Sequence, residues 1–153
     1  MKAIKLIDHT LRSSLALALV CVATLSAVAA EKTVGGPKGG KLLENEAPRA
    51  EFFVEKDKTV TIKFYDANLK PVPATEQVVT AIAEAKSGKA KLEFEKKGDV
   101  LVSKTKLPEG DGYTIVVQFK PKPDGFMKNF RIAYDEGKCG GCKRAEYACT
   151  CGH

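Results

Sequence analysis

The sequence predicts an all-β protein, an immunoglobulin-like antiparallel β-sandwich, with an N-terminal signal peptide and a short cysteine-rich C-terminal tail. Three observations predict this arrangement. Between residues 42 and 136, apolar residues mostly recur at every second position, which is typical of half-buried strands. Turn-forming residues separate these apolar runs at the spacing of a sandwich. The alternation then ends, and four cysteines fall within the last fifteen residues.

Six runs of alternating residues carry the strand prediction. The clearest is Val60, Ile62 and Phe64, which alternate with the polar Thr61 and Lys63. Runs of the same kind occur at 50–55, 91–95, 100–104, 114–119 and 130–134. Turn residues separate them at 56–58, 66–68, 97–99, 108–112 and 121–125. About seven short strands joined by such turns predict a sandwich.

The segment 75–87 fits both a helix and a strand. Val78, Val79 and Ile82 lie at helical spacing, whereas Val79, Ala81 and Ala83 lie at strand spacing. We favour a strand, because a lone helix would interrupt a series of hairpins.

Residues 1–30 predict a secretory signal peptide. Three basic residues lead into an apolar run at 15–25, and small residues allow cleavage after Ala29 or Ala30. The run is shorter than the roughly 20 residues of a membrane span, so we expect no stable membrane insertion after cleavage; an uncleaved anchor is the alternative. Cys21 leaves with the leader, so four of the five cysteines remain. We therefore expect a periplasmic or secreted protein.

The mature chain is long enough for one domain with a modest core. We expect a Gly-rich flexible lead-in at 31–41, the sandwich at 42–136 and the cysteine-rich tail at 137–153. Because the alternating apolar residues all lie before residue 135, we expect the sandwich to fold without the tail.

Charge and composition argue against nucleic-acid binding and against catalysis. The leader takes three of the 25 bases and one of the 19 acids, which leaves 22 and 18 without an arginine-rich stripe. His153 is the single histidine of the mature chain, so no Ser–His or Cys–His pair can form within the folded part. The glycines at 35–40 do not follow a strand and open a helix, so they predict no nucleotide site. We expect a protein that is not an enzyme.

Several short motifs resemble a family of small exported bacterial domains. The chain has GGKLLE at 39–44, AEFFVE at 50–55, VTIKFYD at 60–66 and KPV at 70–72. Together these resemble immunoglobulin-like domains associated with periplasmic adaptor (membrane fusion) subunits of heavy-metal efflux pumps. The resemblance covers residues 39–135. It implies an immunoglobulin-like fold and a possible envelope efflux or adaptor partner, and it implies no metal ligand within the sandwich.

The tail contains a Cys-x2-Cys unit, six further residues, and then Cys-x-Cys-Gly-His. Thiolate sulfur and imidazole nitrogen are the usual ligands of zinc and of copper(I). The candidate ligands are Cys139, Cys142, Cys149, Cys151 and His153. They can supply four sulfurs, or three sulfurs and one nitrogen, to a single ion. The spacing differs from that of the paired Cys-x2-Cys units of zinc ribbons.

Other chemistry is open to the same cysteines. Two disulfides can form, because an exported chain meets oxidants and four cysteines allow three pairings. The unit Cys139–Cys142 resembles the redox motif of thioredoxins; that chemistry needs a preceding βαβ frame and a helix that begins at the first cysteine, so redox catalysis is the minor alternative. Haem attachment is excluded, because Lys143 stands where a histidine is required.

Two functions follow from this sequence. The first is an exported protein that binds or relays a soft or borderline metal ion, zinc or copper. The second is a structural or adaptor sandwich that docks on an envelope partner through a sheet edge, with the tail cysteines paired as disulfides.

Overall fold

The structure, a computed structural model, describes residues 33–44 and 46–152. The predicted signal peptide and the predicted ligand His153 lie outside the described residues. Within the described part of the chain, no helix is long and apolar enough to cross a membrane.

The fold is all-β and antiparallel, as the sequence predicted. The described residues contain ten strands and one short 3-10 helix. The strands are β1 (Val34–Gly35), β2 (Lys41–Leu42), β3 (Arg49–Val54), β4 (Val60–Tyr65), β5 (Pro71–Val72), β6 (Val78–Ala85), β7 (Gly88–Lys97), β8 (Val100–Ser103), β9 (Tyr113–Lys120) and β10 (Lys128–Tyr134). The 3-10 helix is Glu146–Ala148.

The strands pair in the order β1-β2-β3-β4-β8-β7-β6-β9-β10, and β5 pairs with β4. Strand β7 joins the two halves of this curled sheet. Its first part, up to Glu93, pairs with β6, and its second part, from Phe94, pairs with β8. Phe64 of β4 stacks on Phe119 of β9 with ring centroids 5.9 Å apart, although these strands are not neighbours in the sheet. The two halves therefore share one core.

Segment 75–87 contains a strand, so the preference for strand over helix is confirmed. In β6, Val79, Ala81 and Ala83 are buried, and the residues between them are more exposed. β6 pairs with β7 on one side and with β9 on the other. A strand in this position also pairs the facing edges of β7 and β9, whose backbone groups a lone helix would leave without ladder partners.

Residues 34–42 of the glycine-rich segment form a hairpin, although composition predicts a flexible lead-in over 31–41. β1 pairs with β2, and β2 pairs with β3. The physical reason is the carboxylate of Glu51 in β3, which is fully buried. It accepts the backbone N–H of Gly40 at 2.7 Å and of Lys38 at 3.1 Å. The turn between β1 and β2, residues 36–40 (the glycine turn), thus supplies the N–H donors that a buried carboxylate needs.

Tyr65 completes the surroundings of this carboxylate. Its hydroxyl donates to Glu51 at 2.6 Å. Burial, and next the hydrogen bond to Glu51, raises the pKa of Tyr65 far above its usual range, so the phenol remains a donor. Gly36 lies so close that an added Cβ would be 2.1 Å from the carboxyl carbon of Glu51. Glycine is required here for close approach rather than for flexibility.

We expect Gly36→Ala to destabilise the fold by about 2–3 kcal/mol, because the added methyl group must displace the buried carboxylate from its donors. Urea unfolding of the reduced, metal-free protein measures the effect. Gly140→Ala is the matched control, since an added Cβ there has no atom within 4 Å. Equal midpoints for the two variants would show that the glycine turn does not hold Glu51.

The core continues beyond residue 136 into the cysteine-rich tail. Tyr147 and Ala148 are buried members of the main hydrophobic cluster. The Tyr147 ring lies 6.0 Å from that of Phe52 and 5.8 Å from that of Tyr134. Its hydroxyl accepts the backbone N–H of Val54 at 3.0 Å. The tail is therefore anchored on the sheet immediately before Cys149.

Candidate metal centre

The first two cysteines lie on a tight hairpin formed by residues 138–145. The backbone N–H of Cys139 donates to the carbonyl of Arg144 at 2.9 Å, and the N–H of Lys143 donates back to the carbonyl of Cys139 at 3.1 Å. Lys143 adopts a left-handed conformation with φ of 62°, which closes the turn. The hairpin brings the sulfurs of Cys139 and Cys142 to the same side.

The second two cysteines are placed by the 3-10 helix. The N–H of Ala148 donates to the carbonyl of Ala145 at 2.9 Å, and that of Cys149 donates to the carbonyl of Glu146 at 3.0 Å. Because Tyr147 is fixed in the core, the chain leaves this helix in a defined direction. Cys149 and the following Cys151 then face the hairpin.

The four sulfurs lie around one point. Every one of them is within 4.8 Å of the other three. The Sγ–Sγ distances are 3.2 Å for Cys139 and Cys149, 3.7 Å for Cys139 and Cys151, and 3.8 Å for Cys142 and Cys149. A tetrahedron with metal–sulfur bonds of about 2.3 Å has sulfur–sulfur edges of about 3.8 Å, whereas a disulfide bond is about 2.05 Å long. None of these three separations is that of a disulfide bond, and the cluster is compatible with metal binding as well as with later disulfide pairing.

Burial decreases across the cluster. Cys139 is 1% exposed, Cys142 and Cys149 are half-buried, and Cys151 is exposed. Gly141 packs against the sulfurs, since an added Cβ would lie 2.9 Å from Sγ of Cys151. The cluster is thus closed on the hairpin side and reachable from solvent at Cys151.

Backbone N–H groups and hydrogen bonds among the sulfurs together separate the pKa values of Cys142, Cys149 and Cys151. The N–H of Thr150 is the first cause that lowers the pKa of Cys142, to about 6. The N–H of Cys151 acts in the same direction on Cys149, but hydrogen bonding among the sulfurs, with Cys139 first, outweighs it and raises that pKa to about 12. The same neighbour, Cys139, raises the pKa of Cys151. The thiol of Cys142 is therefore largely ionised at neutral pH.

We expect iodoacetamide to modify Cys142 first in the reduced, metal-free protein at pH 7. A lowered pKa leaves the thiolate in place down to about pH 6, whereas thiols with raised pKa values stay protonated and unreactive. Peptide mass mapping at short reaction times identifies the modified residue. Preferential modification of Cys149 or Cys151 at pH 7 would contradict this ordering.

Arg144 connects the hairpin to the glycine turn, and sequence reasoning missed it. Its guanidinium Nη1 donates to the carbonyls of Gly36 at 3.0 Å and Gly40 at 3.4 Å. An added Cβ at Gly35 would lie 2.7 Å from the guanidinium carbon. The glycine turn thus has Glu51 on its N–H side and Arg144 on its carbonyl side. No local sequence signal marks this contact, because it joins opposite ends of the chain.

The structure brings together four of the five predicted ligands, namely Cys139, Cys142, Cys149 and Cys151. The fifth, His153, lies outside the described residues. The chain matches no family model, no curated protein and no solved structure.

Proposed function

We propose that this chain is an exported, non-enzymatic protein that binds a soft or borderline metal ion through Cys139, Cys142, Cys149 and Cys151. The meeting of four sulfurs within 4.8 Å of one another, with three of the separations at 3.2–3.8 Å, carries this proposal. Four thiolates in a tetrahedron favour zinc, with copper(I) as the second candidate. A site with four protein ligands has no open position for a reacting water, so it supports binding rather than catalysis.

The predicted location and fold support an envelope role. The leader-like first 30 residues favour export, and the resemblance to domains of metal-efflux adaptors supports a location near such a pump. We also propose that the curled sheet is an immunoglobulin-like sandwich. The contact between Phe64 and Phe119, from strands that are not neighbours, supports two facing layers.

A specific observation favours the second function, an adaptor with a disulfide-bonded tail. Cys139 and Cys149 have the shortest of the sulfur separations given above, 3.2 Å, and an exported chain meets oxidants. Among the described strands, β10 pairs only with β9 and leaves one edge open, which suits docking by strand addition.

Metal content and thiol count separate the two functions. The protein should be isolated from its own compartment without added reductant and analysed by native mass spectrometry and thiol titration. One zinc ion per chain and four thiols after acid release of the metal support the first function. A metal-free chain with no thiols and a mass lower by four hydrogens supports the second.

Two glycine variants test whether the sulfurs act as one site. We expect Gly141→Ala to weaken zinc binding by about tenfold or more, because the new methyl group pushes against Sγ of Cys151. Gly140→Ala should leave the zinc affinity unchanged, since open space surrounds that position. Competition with a chromogenic chelator under reducing conditions gives both affinities. Equal zinc affinities of the two variants would show that Cys151 is not a ligand.

A further inference from the structure

A groove of about 450 Å³ lies beside the cysteine hairpin. Its floor is largely apolar and is made by Phe53, Val54, Tyr134 and Tyr147. One wall belongs to the hairpin, and the other belongs to the glycine turn and the turn after β3. The volume is within the range of sites that accept small ligands or peptide side chains, roughly 300–1,000 Å³.

The groove is lined by far more positive than negative charge. Its six bases are Lys38, Lys56, Lys58, Lys138, Lys143 and Arg144. Its two carboxylates, Glu55 and Glu136, are each neutralised by an ion pair, the first with Lys38 and the second with Lys58. The groove has six basic and two acidic residues, whereas the chain without its predicted leader has 22 basic and 18 acidic residues. A concave apolar floor strengthens the field of such a cluster.

We propose that this groove binds an acidic peptide segment of a partner protein, and that metal binding at the four cysteines completes the groove. The cations at the rim match carboxylates, and the aromatic floor matches apolar side chains between them. The surface is concave, which suits an extended segment with protruding side chains better than a flat lipid headgroup layer. The metal dependence rests on the proposed function of the cysteines.

The link to the metal follows from the position of the cations. Lys138, Lys143 and Arg144 belong to the hairpin of residues 138–145, which also carries the sulfurs of Cys139 and Cys142. A metal ion bound by both sulfurs fixes this wall of the groove. The hairpin backbone then loses less freedom when a peptide binds, so the two affinities are coupled and each ligand strengthens the other.

The probe is a fluorescein-labelled synthetic peptide of alternating glutamate and phenylalanine, and its counterpart has lysine in place of glutamate. Fluorescence anisotropy with the zinc-loaded full chain should show that the acidic peptide binds and that its lysine counterpart does not. Lys56→Glu with Lys138→Glu should weaken this binding by about tenfold or more. The matched control, Lys70→Glu with Lys86→Glu, changes the net charge equally at exposed lysines outside the groove and should shift the affinity by less than about twofold.

The outcomes separate the groove from the metal site. Equal weakening in both double variants means unspecific attraction and overturns the groove. Binding to vesicles of anionic phospholipid without binding of the acidic peptide overturns the peptide as its occupant. A third outcome is a chain that mass spectrometry shows to be loaded with zinc and that does not bind the acidic peptide. That result overturns this inference and leaves the metal proposal intact. Equal peptide affinity with and without bound zinc overturns the metal dependence.

Discussion

We expect Cys139→Ser to abolish the proposed high-affinity zinc binding, with a loss of more than about 100-fold. Loss of a group that only orients a ligand already costs about 10–100-fold, and a missing thiolate ligand costs more. Cys139 is the buried sulfur, close to both Cys149 and Cys151. The serine hydroxyl that replaces this thiol does not ionise readily near neutral pH, and it cannot reach the ion at the same distance. Chelator competition under reducing conditions measures the loss.

Two further variants decide which atoms complete the site. Cys151→Ser should lose affinity in the same way as Cys139→Ser, whereas His153→Ala should leave it unchanged, because four sulfurs already lie around one point. The reverse result, loss with His153→Ala and retention with Cys151→Ser, would establish a site of three sulfurs and one nitrogen. Zinc affinity should also fall as the pH falls, since protons compete for the thiolates. Unchanged affinity in every cysteine variant would contradict a metal site altogether.

The central strands could be predicted because their signal is local. In β9, Ile115, Val117 and Phe119 alternate with polar or less buried residues, and the structure buries all three. β6 was ambiguous because Val79 belongs to both the helical and the strand spacing. Pairing with two neighbouring strands decides it, and that pairing depends on residues far away in the sequence.

The glycine turn could not be predicted, because its order comes from distant partners. Gly36 and Gly40 carry no apolar side chain, so composition alone indicates a flexible segment. Their backbone is held by Glu51 on one side and by Arg144 on the other. The sequence offers no way to see that a carboxylate in a strand is buried rather than solvated.

The four cysteines could be predicted as a site because their spacing is local and their chemistry is narrow. What supports them could not be predicted. Tyr147 lies outside the alternating runs, and a single aromatic residue between Glu146 and Ala148 gives no period. Its burial depends on Phe52 and Tyr134 of the sheet.

Tyr147→Ala is the substitution that tests this anchor, and we expect it to destabilise the metal-free protein by about 3–5 kcal/mol. The change removes a ring that is 6% exposed and that packs edge-on against Phe52. Tyr147→Phe is the matched control: it keeps the ring and removes the acceptor of the Val54 N–H, so it should cost only about 1 kcal/mol. Urea unfolding of both reduced variants measures the difference.

The same substitution should also change the zinc affinity of the cysteine cluster, because Tyr147 fixes the direction in which the chain approaches Cys149. We expect Tyr147→Ala to bind zinc more weakly than Tyr147→Phe, since part of the binding free energy must then order the tail. Saturating zinc should recover some of the lost stability in both variants, because a ligand bound only by the folded state stabilises it. Tyr147→Ala with wild-type stability and wild-type zinc affinity would show that the cysteine cluster assembles without the core, as an independent metal-binding tail.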